Sequence, residues 1–341
     1  MEQTTIDFKF LSDQMRKDLT RIGRLRKLVR CLICIVYPLA LFWFGFSIFG
    51  GFLIDRSDYE TSVTTGRYVL IGFAVFFVAH YAFMLSFKSL NRQENETMRN
   101  IVARLFPMAK YSPSGGVDSR LLAHSRLFGT PASSGNAINS TGYGTLDIPV
   151  ADGWLRLADV GVTSANKKDF SSMNFLEVLY QYFVRPILGT RVESTMHSFR
   201  GMFGYCRLQR SFRGYVMLLP DHLENKIGYL AQTVQGFKQK YGAKFVHLED
   251  PEFEKLFVVY ADNEVEARMI LTPAMMRRLT ELRNSFSRDL MLAFNEDVFY
   301  YASETPDGFL RPGRKSLSSE HLLEQLYREV DFCRTINDSM G

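Results

Sequence analysis

Two stretches of the chain carry no formal charge over lengths that a water-soluble fold rarely tolerates. From Cys31 to Ile54 runs CLICIVYPLALFWFGFSIFGGFLI, 24 residues, and from Tyr68 to Phe87 runs YVLIGFAVFFVAHYAFMLSF, 20 residues. As helices rising about 1.5 Å per residue, each reaches roughly 30 Å, the thickness of a bilayer's hydrocarbon core. The first does not read as a cleaved leader. It begins 30 residues in, exceeds the apolar length of a signal peptide and is followed closely by a second span.

Charge gives these spans an expected orientation. The first 30 residues hold eight Lys or Arg against four acids, and Lys88 and Arg92 follow the second span, whereas the 13-residue connection DRSDYETSVTTGR holds three acids and two arginines. By the positive-inside rule, both termini face the cytoplasm and the connection faces outward. The expected organisation is a basic amphipathic helix over 1–30, a first transmembrane helix over 31–54, a periplasmic loop over 55–67 and a second transmembrane helix over 68–87. A helical stalk over 88–106 and a cytoplasmic domain over 107–341 follow. The lipid bilayer is thus the first expected partner, of a multi-pass protein with both termini cytoplasmic.

Several residues in the membrane part invite a functional reading, and each has a plainer one. Leu11, Met15, Leu19, Ile22 and Leu25 recur at helical spacing, which suits packing on the inner leaflet or on the cytoplasmic domain. Pro38 predicts a kink in the first span, and Ser47 with Gly51 offers a small-residue packing face. His80 lies in the second span without an acidic partner in either span, which favours an imidazole bonded to a neighbouring helix over a proton path. Cys31 and Cys34 have Cys-x-x-Cys spacing but open a span rather than follow a strand. Cys206 and Cys333 are isolated, and a reducing compartment asks for no disulfide.

Beyond residue 107 the pattern is α+β, antiparallel strands with flanking helices rather than a βαβ repeat. DGWLRLADVGV (152–162) reads as a strand, while GTPASSGNAINSTGYGT (129–145) is too poor in large apolar residues for an element and reads as a loop. FLEVLYQYFVRPILG (175–189) is too short to span a bilayer; it suits a helix on the domain core or one docked at the membrane surface. Asp250 and Pro251 open a short helix as N-cap and first helical residue, and Thr272 with Pro273 opens a longer one. Phe257 to Asp262 reads as a strand, LMLAFNEDVFYYAS (290–303) as a hairpin, and SSEHLLEQLYREVDFCRTI as a closing helix with Leu322, Leu326, Val330 and Cys333 on one stripe.

Ser-Phe-Arg-Gly occurs twice, at 198–201 and 211–214. The spacing fits two successive strands joined as a hairpin near LQRS, with Gly201 and Gly214 at bulges or close backbone approaches. Arg200, Arg207, Arg210 and Arg213, with Arg191, are the candidate surface for lipid headgroups or an acidic protein. The modest basic density and the core-like aromatics around it speak against nucleic acid.

No nucleotide-binding, nucleophile-elbow, zincin or EF-hand signature is present, so no catalytic residue, metal ligand or cofactor is expected. Ser164 and Lys167 have Ser-x-x-Lys spacing only within a polar segment. The six histidines lack metal-ligand spacing. The acids Glu249, Asp250, Glu252 and Glu254 are better explained by a helix start than by a cation, and Asp262 with Arg268 suggests a salt bridge across the strand-to-helix turn.

The order of these motifs resembles the bacterial membrane-anchored family catalogued as domain of unknown function 3137. The resemblance rests on Phe199 and Gly201; Leu248, Glu249, Glu252, Phe253 and Phe257; Asp262, Ala267 and Arg268; and Leu271, Thr272 and Pro273. It implies an inner-membrane protein with a cytoplasmic domain and carries no reaction with it. The expected function is a membrane-anchored binding or scaffold module with protein partners, in a larger membrane assembly or a homo-oligomer. A membrane-tethered enzyme acting on lipid or envelope precursors and a subunit of an oligomeric channel or transporter are the alternatives.

Overall fold

The uncharged stretches form helices whose apolar side chains face outward. The computed structural model describes residues 8–53, 59–128, 138–150, 153–163, 199–208, 211–221, 242–285, 288–305, 308, 310, 323–324, 326–328, 330–331 and 333–335. Helix α1 (Phe8–Cys31) passes through a π-helical turn (Leu32–Val36) into α2 (Tyr37–Leu53), and α3 (Tyr59–Leu105) follows. A π-helical turn lies just ahead of Pro38, where a kink is expected. The proline ring crowds the carbonyl four residues back, that of Cys34, and the widened turn contains this residue.

Two helical runs, Arg16–Phe46 and Val63–Leu105, are long and apolar enough to cross a membrane, and only 12% and 17% of their most apolar windows are buried. Phe42, Phe46, Phe49, Leu70 and Val78 are all exposed. The inward face is narrow. Phe44 of α2 packs on Phe73 and Phe76 of α3, with ring centroids 4.6 and 4.9 Å apart, and Arg26 Nε of α1 donates to Glu94 Oε1 of α3 at 2.8 Å. Phe44 and Arg26 lie 18 residues apart and meet Phe76 and Glu94, also 18 apart in the opposite sense. The two helical runs therefore lie antiparallel in one register. Ile22 and Leu90 are buried as well; the side chains of Met15, Leu19, Ser47 and Gly51 are outside the described set. His80 stacks on Phe76 at 6.0 Å.

The chain divides into two compact units, the first containing the described residues up to 97 and the second those from 98 onward. The described residues of the second build a nine-stranded antiparallel sheet. Its elements are β1 (Lys110–Ser112), α4 (Ser119–Ser125), β2 (Asn139–Val150), β3 (Gly153–Thr163), β4 (Phe199–Arg207), β5 (Tyr215–Pro220), β6 (Lys244–Phe245), α5 (Pro251–Glu254), β7 (Phe257–Ala261), α6 (Glu264–Ile270), α7 (Pro273–Ser285), β8 (Leu290–Asn295) and β9 (Val298–Glu304). The strand order is β1-β2-β3-β4-β9-β8-β5-β7-β6. Helical residues recur between Leu323 and Thr335, with Leu326, Val330 and Cys333 buried.

Strands β5, β7 and β8 are buried at every residue, and β4 and β9 nearly so. A sheet with one wet face alternates apolar and polar residues; one covered on both faces reads as continuous apolar runs such as YVMLLP, FVVYA and LMLAFN. One face carries Ala158, Phe203, Ala302 and Met291 in a lateral row, covered by Leu122 and Leu127 from α4 and its exit. The opposite face carries the row Asp159, Met202, Ser303 and Leu290.

Two expectations are corrected here. The repeated Ser-Phe-Arg-Gly does not mark a hairpin. β4 pairs with β3 and β9, β5 pairs with β7 and β8, and the β8–β9 hairpin lies between them. The tight Glu296–Asp297 turn closes β8 on β9, with Asn295 opposite Val298. The connection after β4 crosses that turn instead of making one: Leu208 N donates to Asp297 O at 2.7 Å and Phe212 N to Glu296 O at 2.9 Å. Gly201 lies against the β9 backbone, and Gly214, at φ +115°, is where the chain enters β5.

The second correction concerns the polar stretch read as a loop over 129–145, whose residues 139–145 belong to β2. Sheet hydrogen bonds use only the backbone, and small residues are required here because the 115–116 backbone crosses directly over Gly142. Residues 129–137 and the whole of 175–189 lie outside the described set.

Candidate functional site

Strand alternation divides the arginines singled out from the sequence. Successive side chains of a strand point to opposite faces, so Arg200 and Arg207 cannot share one, and they stand roughly 23 Å apart along β4. Arg207 is exposed, with Nε 3.7 Å from Asp297 Oδ2. Arg213 is exposed before β5, and its carbonyl accepts from Asn263 Nδ2 at 3.4 Å. Arg191 and Arg210 lie outside the described residues.

Arg200 is a correction: it is 8% exposed and belongs to no partner surface. Its guanidinium pairs with the carboxylate of Asp159, donates from Nη1 to Val160 O at 3.2 Å and lies over the Tyr143 ring at 3.9 Å. Asp159 is fully buried, and its other oxygen accepts from Leu310 N at 3.2 Å. A buried ion pair persists where both charges are hydrogen-bonded. The pair ties β2, β3, β4 and the 310 segment into one polar cluster inside the apolar face. Its one trace in the sequence is a lone acid within the strand-like ADVGV and a lone base within FRGMF.

The other face carries a second run of polar groups that sequence reading missed. Asp147 on β2 accepts from Arg156 on β3 at 2.5 and 2.7 Å, and Arg156 Nη1 lies 3.4 Å from the Tyr205 hydroxyl. Tyr205 and Tyr300 stand 6.4 Å apart, and the Tyr300 hydroxyl is 2.7 Å from His124 Nδ1 on α4. Burial, reinforced by Asp297, raises the Tyr300 pKa, so the phenol stays protonated. Asn295 Nδ2 donates to His124 O at 2.9 Å.

The same helix is pinned at its exit, where the Tyr215 hydroxyl donates to Ser125 O at 2.5 Å and the Arg126 guanidinium lies 4.8 Å over the Tyr215 ring. These contacts hold α4 on the sheet. The Tyr300 phenol beside His124 is held in the protonated form.

In the motif segment from 248 to 273, caps and ring packing hold the helix starts. Asp250 caps α5, accepting from Glu252 N at 3.0 Å and Phe253 N at 3.1 Å, with Pro251 in the first turn. Glu254 accepts from Leu248 N at 2.8 Å, while Phe253 and Phe257 pack at 5.2 Å. Thr272 Oγ1 accepts from Met275 N at 3.3 Å ahead of Pro273 in α7.

The salt bridge expected between Asp262 and Arg268 does not form. Arg268 pairs with Glu264 one turn earlier on α6 at 2.9 Å and donates to His247 O at 2.9 Å. The (i, i+4) spacing puts those two side chains on one helix face. Asp262 Oδ1 accepts from Tyr215 N at 2.7 Å, across from Gly214, where a side chain would obstruct the carboxylate.

Among the described residues no three His, Cys, Asp or Glu side chains converge as metal ligands. None of the four cysteines is in a disulfide: Cys31 and Cys34 are exposed, Cys206 and Cys333 buried. Burial pushes the Cys206 thiol up to about 12. Ser164 and Lys167 lie outside the described residues.

The family model described as "Protein of unknown function (DUF3137)" matches residues 197–341, the span holding all the motifs on which the sequence resemblance rests. No curated protein matches the chain. Among solved structures, the mycobacterial trehalose monomycolate transport factor A, TtfA, is similar at a TM-score of 0.38 and 8% identity, over 72% of this chain and 94% of that one. A likeness of that size establishes neither a shared fold nor a shared activity.

Proposed function

From a chain whose residues 197–341 match the DUF3137 family, we propose a membrane-anchored binding or scaffold module that works within a larger inner-membrane assembly. In this reading α2 and the first half of α3 form a two-span hairpin, both termini are cytoplasmic, and the sheet domain presents a surface to protein partners. The observation that carries it is the contrast between the two units. The helical pair leaves its apolar side chains uncovered, Phe42 at 73% and Phe49 at 72%, while the sheet domain buries every residue of its strands β5, β7 and β8. Uncovered rings on that scale need lipid around them.

Binding is favoured over catalysis because the buried pair of Asp159 with Arg200 and the half-buried pair of Arg156 with Asp147 tie strands together. The exposed Arg207 and Arg213 remain the basic candidates for partner contact. Affinity purification from native membranes tests this reading. Partners recovered with the wild-type chain should be lost or reduced when Arg207 and Arg213 are replaced by Glu. The same partners at unchanged yield would remove the basic surface from the account.

A further inference from the structure

The register of the helical pair brings cations from distant parts of the sequence to one level. Arg26 meets Glu94, so in an antiparallel pair Lys27 stands opposite residue 93 and Arg30 opposite residue 90. Lys88 lies two residues farther along, about 3 Å. Lys27, Arg30 and Lys88 therefore fall within roughly 8 Å of one another along the axis. All three side chains are exposed, where the charged parts of both helices meet their apolar parts.

Helical phase puts them on one flank. The contact between the helices is marked by Ile22, Arg26 and Val29 on α1 and by Phe76, Phe83, Leu90 and Glu94 on α3. At about 100° per residue, Arg30, Lys27 and Lys88 are turned from that contact by about 75°, 135° and 130° in the same sense. In an antiparallel pair, rotations of the same sense reach the same side. Of the neighbouring charges, Arg26 pairs with Glu94 and Arg92 with Glu96 at 2.9 Å, while the exposed Arg24 is turned about 165° from the contact, to the back of α1.

We propose that Lys27, Arg30 and Lys88 form a headgroup site for an anionic phospholipid at the cytoplasmic edge of the spans. The cations farther along α1 do not share it. Arg21, Lys17 and Arg16 stand roughly 14 to 21 Å from Arg30 along the helix, beyond the ~10 Å over which a charged leaflet acts in salt. The site rests on the anchoring reading. Retention of the chain in membranes through an alkaline wash, combined with no lipid preference, would refute the site and leave the anchor standing.

The test uses the full chain in neutral detergent micelles, offered an equal mixture of phosphatidylglycerol and phosphatidylcholine, with bound lipid read by native mass spectrometry. The wild-type chain should retain phosphatidylglycerol in preference. In K27Q/R30Q/K88Q that preference should fall about tenfold or more. The charge-matched R16Q/K17Q/R21Q and the charge-preserving K27R/K88R should keep it. Equal loss in the two triple variants would overturn the proposal by reducing it to net charge. Displacement of the lipid by excess inorganic phosphate would also overturn it, by showing a site for free anions.

Discussion

Replacing Asp159 by Asn should destabilise the sheet domain far more than the loss of one hydrogen bond. The guanidinium of Arg200 would stay buried beside Val160 O and the Tyr143 ring without its counter-charge. Removing one partner of a buried pair costs about 3–5 kcal/mol, whereas replacing both with apolar groups of similar size is often close to neutral. The double variant D159N/R200M should therefore recover much of what D159N loses.

Urea unfolding of the full chain in detergent reads this directly. Trp43 is replaced by Phe, so that Trp154 on β3, half exposed beneath Lys110 Nζ at 5.0 Å, reports alone. With a slope of about 2 kcal/mol per molar urea, the midpoint of D159N should fall by roughly 1.5–2.5 M. A fall below about 0.3 M, or a double variant as unstable as the sum of the singles, would refute the structural role of the pair.

Alkali should destabilise the domain between pH 9 and about 12, from the ordinary value of 9.0 for a thiol to that of buried Cys206. Over that window the unfolded chain releases a proton that the folded chain keeps, so stability falls as pH rises; Cys206→Ala should flatten the decline of the urea midpoint. Gly204→Ala would set a methyl group against the Tyr301 ring on β9 and should cost about 1–3 kcal/mol in the same assay. Asp250→Ala removes two acceptor bonds at the start of α5 and should cost about 1 kcal/mol, largely restored by Asp250→Ser.

Features set by local rules were legible in the sequence. The caps at Asp250 and Thr272, the strand from Phe257 and the 290–304 hairpin each depend on a few adjacent residues and appear where expected. Pairing between distant segments was not. LQRS and the Asn-Glu-Asp turn both suggest hairpins, and only the folded sheet shows that β9 and β8 separate β4 from β5. The Gly- and Ser-rich composition of 139–145 hid a strand because it reflects the backbone of 115–116 crossing it.

An arginine usually needs water, which points Arg200 to a surface; its acid, Asp159, lies 41 residues earlier. Asp262 and Arg268 lie close in sequence, yet Gly214 admits the carboxylate to Tyr215 N and a helix turn gives Arg268 a nearer acid. The level shared by Lys27, Arg30 and Lys88 likewise needed the register of two helices.

Accessibility of introduced cysteines tests the membrane arrangement most directly. In a chain whose exposed Cys31 and Cys34 are replaced by Ser, single cysteines are placed at Ser62, between the apolar runs, and at Glu252, exposed on the sheet domain. A membrane-impermeant maleimide is added to cells with a permeable outer membrane and an intact inner one. The account predicts labelling at position 62 alone, with position 252 reacting only after the inner membrane is opened. Labelling of position 252 in intact cells, or release of the whole chain by an alkaline wash, would contradict it.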